Sequence, residues 1–217
     1  MTTSTSLMPE PDRGLHRALM EGLLGTGATP SPNDLVAAFG IKAAELTRRL
    51  AALQAADYLS LDPAGGVSCL YPFSPAPTPH VVVIGDQRRY AMCAIDALGM
   101  AAMLGQPVQV EGVCGACDGV IRLMVAPQTI ERATPTETVV LVRRSGDEPA
   151  CETCCPSTLF ACGPAHGAEL AERITETVVV PLEEALHHAE SIFGDLLGDV
   201  LPARRRRSEI SRPRLRT

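Results

Sequence analysis

The feature that most restricts the fold lies between residues 80 and 146, where short Val- and Leu-rich runs alternate with turn residues: HVVVIGD, VQVEGVC, GVIRLMVAP and ETVVLVRRSG. Apolar runs of this length and β-branched content, bounded by Gly, Pro and Asp, read as strands. Helical patterns interrupt them irregularly. One runs from about Arg89 to Leu104 and is stopped by Gly105 and Pro107; another closes the chain in PLEEALHHAESIFGDLL, after a last strand-like VVV. Without a regular strand–helix–strand rhythm the class is α+β. The chain has 217 residues with no Trp, three Tyr and four Phe, so the core must be aliphatic, and its length is enough to bury one without covalent staples.

Upstream, RGLHRALMEGLLGTG (13–27) has helical spacing, and SPNDLVAAFG offers Ser31 as N-cap, Pro32 at the first helical position and Gly40 as stop. A third helix repeats Leu at 46, 50, 53 and 59, and LSLDPAGGVSCL then reads as a small hairpin around Asp-Pro-Ala-Gly-Gly. Three helices and a hairpin form a winged-helix pattern. The third helix offers only Lys42, Arg48 and Arg49 against Glu45, so a packing or substrate-covering role ranks above specific DNA contact. The expected organisation is a disordered start (1–12), a winged-helix-like module (13–73), the proline-rich linker SPAPTPH (74–80), a mixed sheet-and-helix catalytic domain (81–202) and a disordered Arg-rich tail (203–217).

Net charge is −6, but the tail holds seven Arg against one Glu, which leaves the rest near −12 and argues against a nucleic-acid-binding body. The start has no ordered charged, apolar and cleavage regions, and no run of 18 apolar residues exists, so a cytoplasmic protein without a membrane span is expected. In that compartment eight cysteines are metal-binding, catalytic or buried groups before they are disulfides.

These cysteines cluster as Cys93-x-x-Asp96, Cys114-x-x-Cys117 and Cys151-x-x-Cys154-Cys155, with Cys69 and Cys162 apart. On a helix the first pair shares a face, so thiol and carboxylate can reach one small ligand. Burial of Cys93 beside an unrelated capping aspartate is the plainer alternative. Cys114, Cys117, Cys151 and Cys154 together have the ligand count of a structural zinc site, though the interval between the pairs is long; such a closed site would consume Cys154.

The ordered set Tyr90-Ala91-x-Cys93-Ala94-x-Asp96, Cys114, and Cys154-Cys155 followed by Phe160-Ala161 resembles the bacterial organomercurial lyases (alkylmercury lyases), and the likeness extends from the N-terminal module to the closing Pro-Leu-Glu-Glu-Ala helix, roughly residues 13–200. The resemblance implies an active site of Cys93, Asp96 and Cys154, which would also hold the mercury product, with Cys114 structural. Met92 stands where an aromatic residue often precedes the first cysteine, and Cys117 and Cys151 look like additions; Cys117, Cys151 and Cys155 join Cys114 as accessory thiols.

It further implies protonolysis of a carbon–mercury bond, in the service of mercury resistance and detoxification. Two soft thiolates would bind the mercury and Asp96, its pKa raised by desolvation, would carry the proton, giving a hydrocarbon and bound Hg(II). No cofactor is then required; low-molecular-weight thiols or a mercuric reductase would accept the Hg(II). A reading of another class keeps the ligands and omits catalysis: a cytosolic Cu(I) or zinc trafficking protein. Asp96, useless to Cu(I), favours the lyase.

Overall fold

The computed structural model describes residues 10–144, 149–194 and 196–197. Three N-terminal helices, α1 (Glu10–Thr26), α2 (Pro32–Phe39) and α3 (Ala43–Ala55), precede short strands β1 (Leu59–Leu61), β2 (Val67–Leu70) and β3 (Phe73–Ser74). The second helix starts and stops as its sequence dictates: the Ser31 hydroxyl accepts the Asp34 N–H at 3.2 Å, and Gly40 ends it at φ 60°. Residues 10–12, expected to be disordered, belong to α1 instead. The Arg-rich tail lies outside the described residues.

The hairpin of β1 and β2 turns on Asp62, whose carboxylate accepts from the Ala64 and Gly66 amides at 2.8 Å each. Its strands do not stand alone. With β4 (Val81–Ile84), β5 (Gln87–Ala91), β6 (Val108–Val113), β7 (Val120–Ala126) and β8 (Thr129–Thr134) they form one antiparallel sheet, ordered β1-β2-β3-β5-β4-β6-β7-β8. The sheet therefore runs through the proline-rich segment, whose Thr78 hydroxyl donates to the Ala91 carbonyl at 2.7 Å.

One sequence expectation fails here. Residues 89–91 are not helical: Gly85, at φ 60°, turns β4 back into β5, and Tyr90 pairs with Val81. The Gly85-Asp86 pair is a hairpin signal that the helical reading of the segment overlooked. Arg89, only 8% exposed, uses its place on β5 to donate to the Leu24 and Gly25 carbonyls at the end of α1, where unpaired carbonyls and the helix dipole favour a cation.

Helix α4 (Ala94–Leu104) packs on this sheet and against the closing helix α7 (Leu182–Phe193). It is apolar on nearly every side because it is buried on nearly every side. A Cβ on Gly99 would come within 2.3 Å of the Phe193 ring, so the close crossing requires glycine there. A second antiparallel sheet, β10-β9-β11, comprises β9 (Val139–Arg143), β10 (Leu159–Ala161) and β11 (Thr177–Pro181). The short helix α5 (Ala150–Thr153) and a 3-10 turn (Cys155–Ser157) lead into β10, and α6 (Pro164–Arg173) leaves it. This mixture is α+β, as the sequence indicates.

Candidate active site

Cys93 is the N-cap of α4. Its extended backbone lets the sulfur accept the Asp96 N–H at 3.4 Å, so the spacing of three that placed both side chains on one face is the spacing of a helix cap. The cap is fixed from both sides: the Met92 amide donates to the Pro72 carbonyl at 3.1 Å and the Ala94 amide to Thr158 at 3.2 Å. That second bond brings the Cys154–Cys155 segment onto the start of the helix.

Asp96 is 3% exposed. Burial lifts its carboxyl to about 7, despite hydrogen bonds from the Cys93 and Cys155 thiols that pull the other way. The Cys155 sulfur donates to Asp96 Oδ2 at 3.7 Å. Cys93, Asp96 and Cys155 bring their ligand atoms within 4.8 Å of one another. Cys154, the residue expected beside Cys93, is half-buried in the same wall, and its thiol contacts the Ala150 carbonyl at 3.3 Å. The hydrogen bond from Cys155 lowers the Cys154 thiol, whereas that pairing, contact with Cys93 and burial all raise Cys155. Burial also pushes Cys93 up, to about 11.

All four groups open on one cavity of about 710 Å3, whose other walls include Asp57, Tyr71, Val142, Val180, Ile192 and Phe193. Two protonated thiols, one thiolate-prone thiol and a carboxyl poised near neutrality beside an apolar chamber can bind a soft metal and move a proton. Asp57 and Tyr71 were not singled out from sequence, since a lone acid and a lone tyrosine in a hairpin module carry no spacing signal.

The remaining cysteines divide. Cys151 leaves the zinc quartet suggested by spacing: its sulfur sits 2.9 Å from the Ser60 hydroxyl, its amide donates to the Tyr71 hydroxyl, and a hydrogen bond from Cys69 leads the effects that lower its thiol to about 5. Cys114 and Cys117 instead join Cys162 and His166. Cys162 therefore does not stand apart, and the Cys-x-x-x-His spacing of 162 and 166 was a signal available in the sequence.

The alkylmercury lyase (MerB) family model matches residues 73–194. Among curated relatives, an alkylmercury lyase from Pseudomonas putida is 32% identical over 124 residues, 56% of this chain and 58% of that one. One from Bacillus cereus is 27% identical over 87% of this chain and 83% of its own, and one from Staphylococcus epidermidis 27% identical over 80% and 76%. The fold matches a solved structure of the mercury-bound form of MerB2 with a TM-score of 0.74 at 18% identity, covering 90% of this chain and 94% of that one. With more than half of its length matched by the family model, the chain belongs to the alkylmercury lyase family, the organomercurial lyases.

Proposed function

We propose that this organomercurial lyase cleaves carbon–mercury bonds by protonolysis, with Cys93 and Cys154 as mercury ligands and Asp96 as proton carrier. The observation that carries the reading is the buried Asp96 carboxyl, raised to about 7 and held against the Cys93 cap and the Cys155 thiol at the wall of an apolar cavity. Cys154 is the half-buried thiol whose ionisation is eased, so it takes R–Hg from an external thiolate, which departs. Cys93 then loses its proton to the Asp96 carboxylate and its sulfur becomes the second ligand. Electron density from two thiolates weakens the Hg–C bond, Asp96 gives the proton to carbon, and the hydrocarbon leaves with Hg(II) held by two sulfurs. Cys155, hydrogen-bonded to both Asp96 and Cys154, orients the carboxyl and is the nearest sulfur to which the metal can shift.

No cofactor takes part in the reaction; external thiols or a reductase's cysteines remove the Hg(II), and a reducing, cytoplasmic setting keeps the cysteines out of disulfides. Among the described residues no helix is long and apolar enough to cross a membrane. The N-terminal part acts as a winged-helix-like cover, supplying Asp57 and Tyr71 to the cavity, with residues 81–202 as the catalytic part. Specific DNA binding is not expected, since Arg48 and Arg49 both pair with Glu45 at 2.7 Å. Incubating the full chain with phenylmercury and excess thiol should release benzene. Retention of phenylmercury on the protein without benzene would leave a metal carrier.

A further inference from the structure

We infer that Cys114, Cys117, Cys162 and His166 form a tetrahedral Zn(II) site, separate from the mercury site, that fastens the β6–β7 turn to the start of α6. All four ligand atoms lie within 4.8 Å of one another. Their spacing in sequence, Cys-x-x-Cys and Cys-x-x-x-His, is that of structural zinc ligands. The distances also fit. Tetrahedral bonds of about 2.3 Å to sulfur and about 2.0–2.1 Å to imidazole nitrogen require about 3.8 Å between sulfurs and about 3.5–3.6 Å between sulfur and nitrogen. Cys117 Sγ and Cys162 Sγ are 3.8 Å apart, and Cys114 Sγ lies 3.5 Å from His166 Nδ1.

The backbone around the ligands is shaped for such a centre. The turn folds through Asp118 at φ 56°, with its amide on the Cys114 carbonyl at 2.9 Å and the Cys114 amide on the Gly119 carbonyl at 2.8 Å. A Cβ on Gly119 would stand 3.1 Å from the Cys117 sulfur and 3.2 Å from that of Cys162, so the side-chain-free residue keeps the space between them open. The Cys162 amide points at the Cys114 sulfur at 3.4 Å, a donor suited to a metal-bound thiolate. A disulfide between Cys117 and Cys162 is the rival use of the pair, but 3.8 Å is far from the roughly 2.05 Å of an S–S bond, and both are free.

The site's place in the fold gives it a role. Cys162 follows β10 directly, and β10 follows the Cys154–Cys155 segment; beside it, the Gly115 amide donates to Phe160 at 2.9 Å. Zinc binding displaces the thiol protons and joins the two sheets at β10, the strand that follows the Cys154–Cys155 segment. It does so without taking Cys154, which a quartet of Cys114, Cys117, Cys151 and Cys154 would consume.

The test uses the full chain purified under reducing conditions without chelator. Elemental analysis should find about one zinc per chain. Replacement by Co(II) should give thiolate charge-transfer bands and the intense visible bands of a tetrahedral centre. Cys117→Ser with Cys162→Ser should remove the zinc, and His166→Ala should weaken Zn(II) affinity by more than the roughly 10–100-fold that outer-shell changes produce. Cys93→Ser and Cys155→Ser should leave zinc content unchanged. A Zn(II) titration of the metal-stripped parent, read by chelator competition, reports on the site even if a variant fails to fold. Absence of a tight equivalent there, zinc lost with Cys93 but kept without Cys117 and Cys162, or a Cys117–Cys162 disulfide in the reduced preparation would each overturn the assignment.

Discussion

Replacing Asp96 by Asn removes a titrating group from a helix buried on nearly every side while nearly preserving its shape. In the folded chain the carboxyl is raised from 3.8 to about 7, with burial as the main cause. The folded state therefore keeps a proton that the unfolded chain surrenders above about pH 4. Stability from this group is complete below that pH, falls as pH rises, and stops falling once pH passes about 7. At 1.36 kcal/mol per unit, a shift of a little over three units is worth about 4 kcal/mol. His16 and His80, both lowered to about 4 by burial, work in the opposite sense: their contribution is lost below about pH 4 and complete above about 6.5. They are present in parent and variant alike and cancel in the difference. Urea denaturation of both proteins at pH 4, 5.5 and 8 should show the stability difference moving toward Asp96→Asn by about 4 kcal/mol from the first pH to the last. A constant offset across the three pH values would show that the carboxyl is not buried in the way described, and the case for a proton carrier that titrates near neutrality would fall with it.

The same variant should still take up an organomercurial through its thiols, seen as an adduct by mass spectrometry, while hydrocarbon release falls by at least the roughly 10²–10⁴-fold that general acid–base help provides. Cys93→Ala and Cys154→Ala should each abolish turnover measured by gas chromatography, whereas Cys69→Ala should leave it nearly intact. If Cys155→Ala is the inactive variant and Cys154→Ala is active, Cys155 is the second mercury ligand. Gly99→Ala should destabilise the fold by about 1–3 kcal/mol or more in urea titrations, because its methyl group would be driven into the Phe193 ring 2.3 Å away. Binding to duplex DNA should be weak, sequence-indifferent and salt-sensitive; a specific footprint after removal of residues 203–217 would contradict this.

Much of the architecture was legible because local signals and tertiary structure agree. Ser31, Pro32 and Gly40 bound a helix in sequence and in space, and the Asp62 turn closes the hairpin that its chemistry demanded. Reading failed where pairing at long range decided the outcome. Arg88 and Arg89 suit a helix as well as a strand until Glu111 and the end of α1 supply their partners, the former at 2.8 Å. Cys93 and Asp96 were visible as a pair because a helix cap is local. The choice between Cys154 and Cys155 was not, since adjacent residues point different ways and only the fold says which faces Asp96. The second cluster was legible only as two separate spacings, Cys-x-x-Cys and Cys-x-x-x-His; Cys117 and Cys162 lie 45 positions apart, a distance over which spacing carries no information about which pairs meet.

Protonolysis by a solvent-exchangeable carboxyl and thiols makes the origin of one hydrogen atom the most direct test. The full chain, equilibrated in D2O with excess thiol, should convert phenylmercury to benzene bearing a single deuterium, with Hg(II) recovered in equal amount on the protein and the added thiol. Benzene without deuterium, or mercury bound and no benzene formed, would contradict cleavage by proton transfer from Asp96.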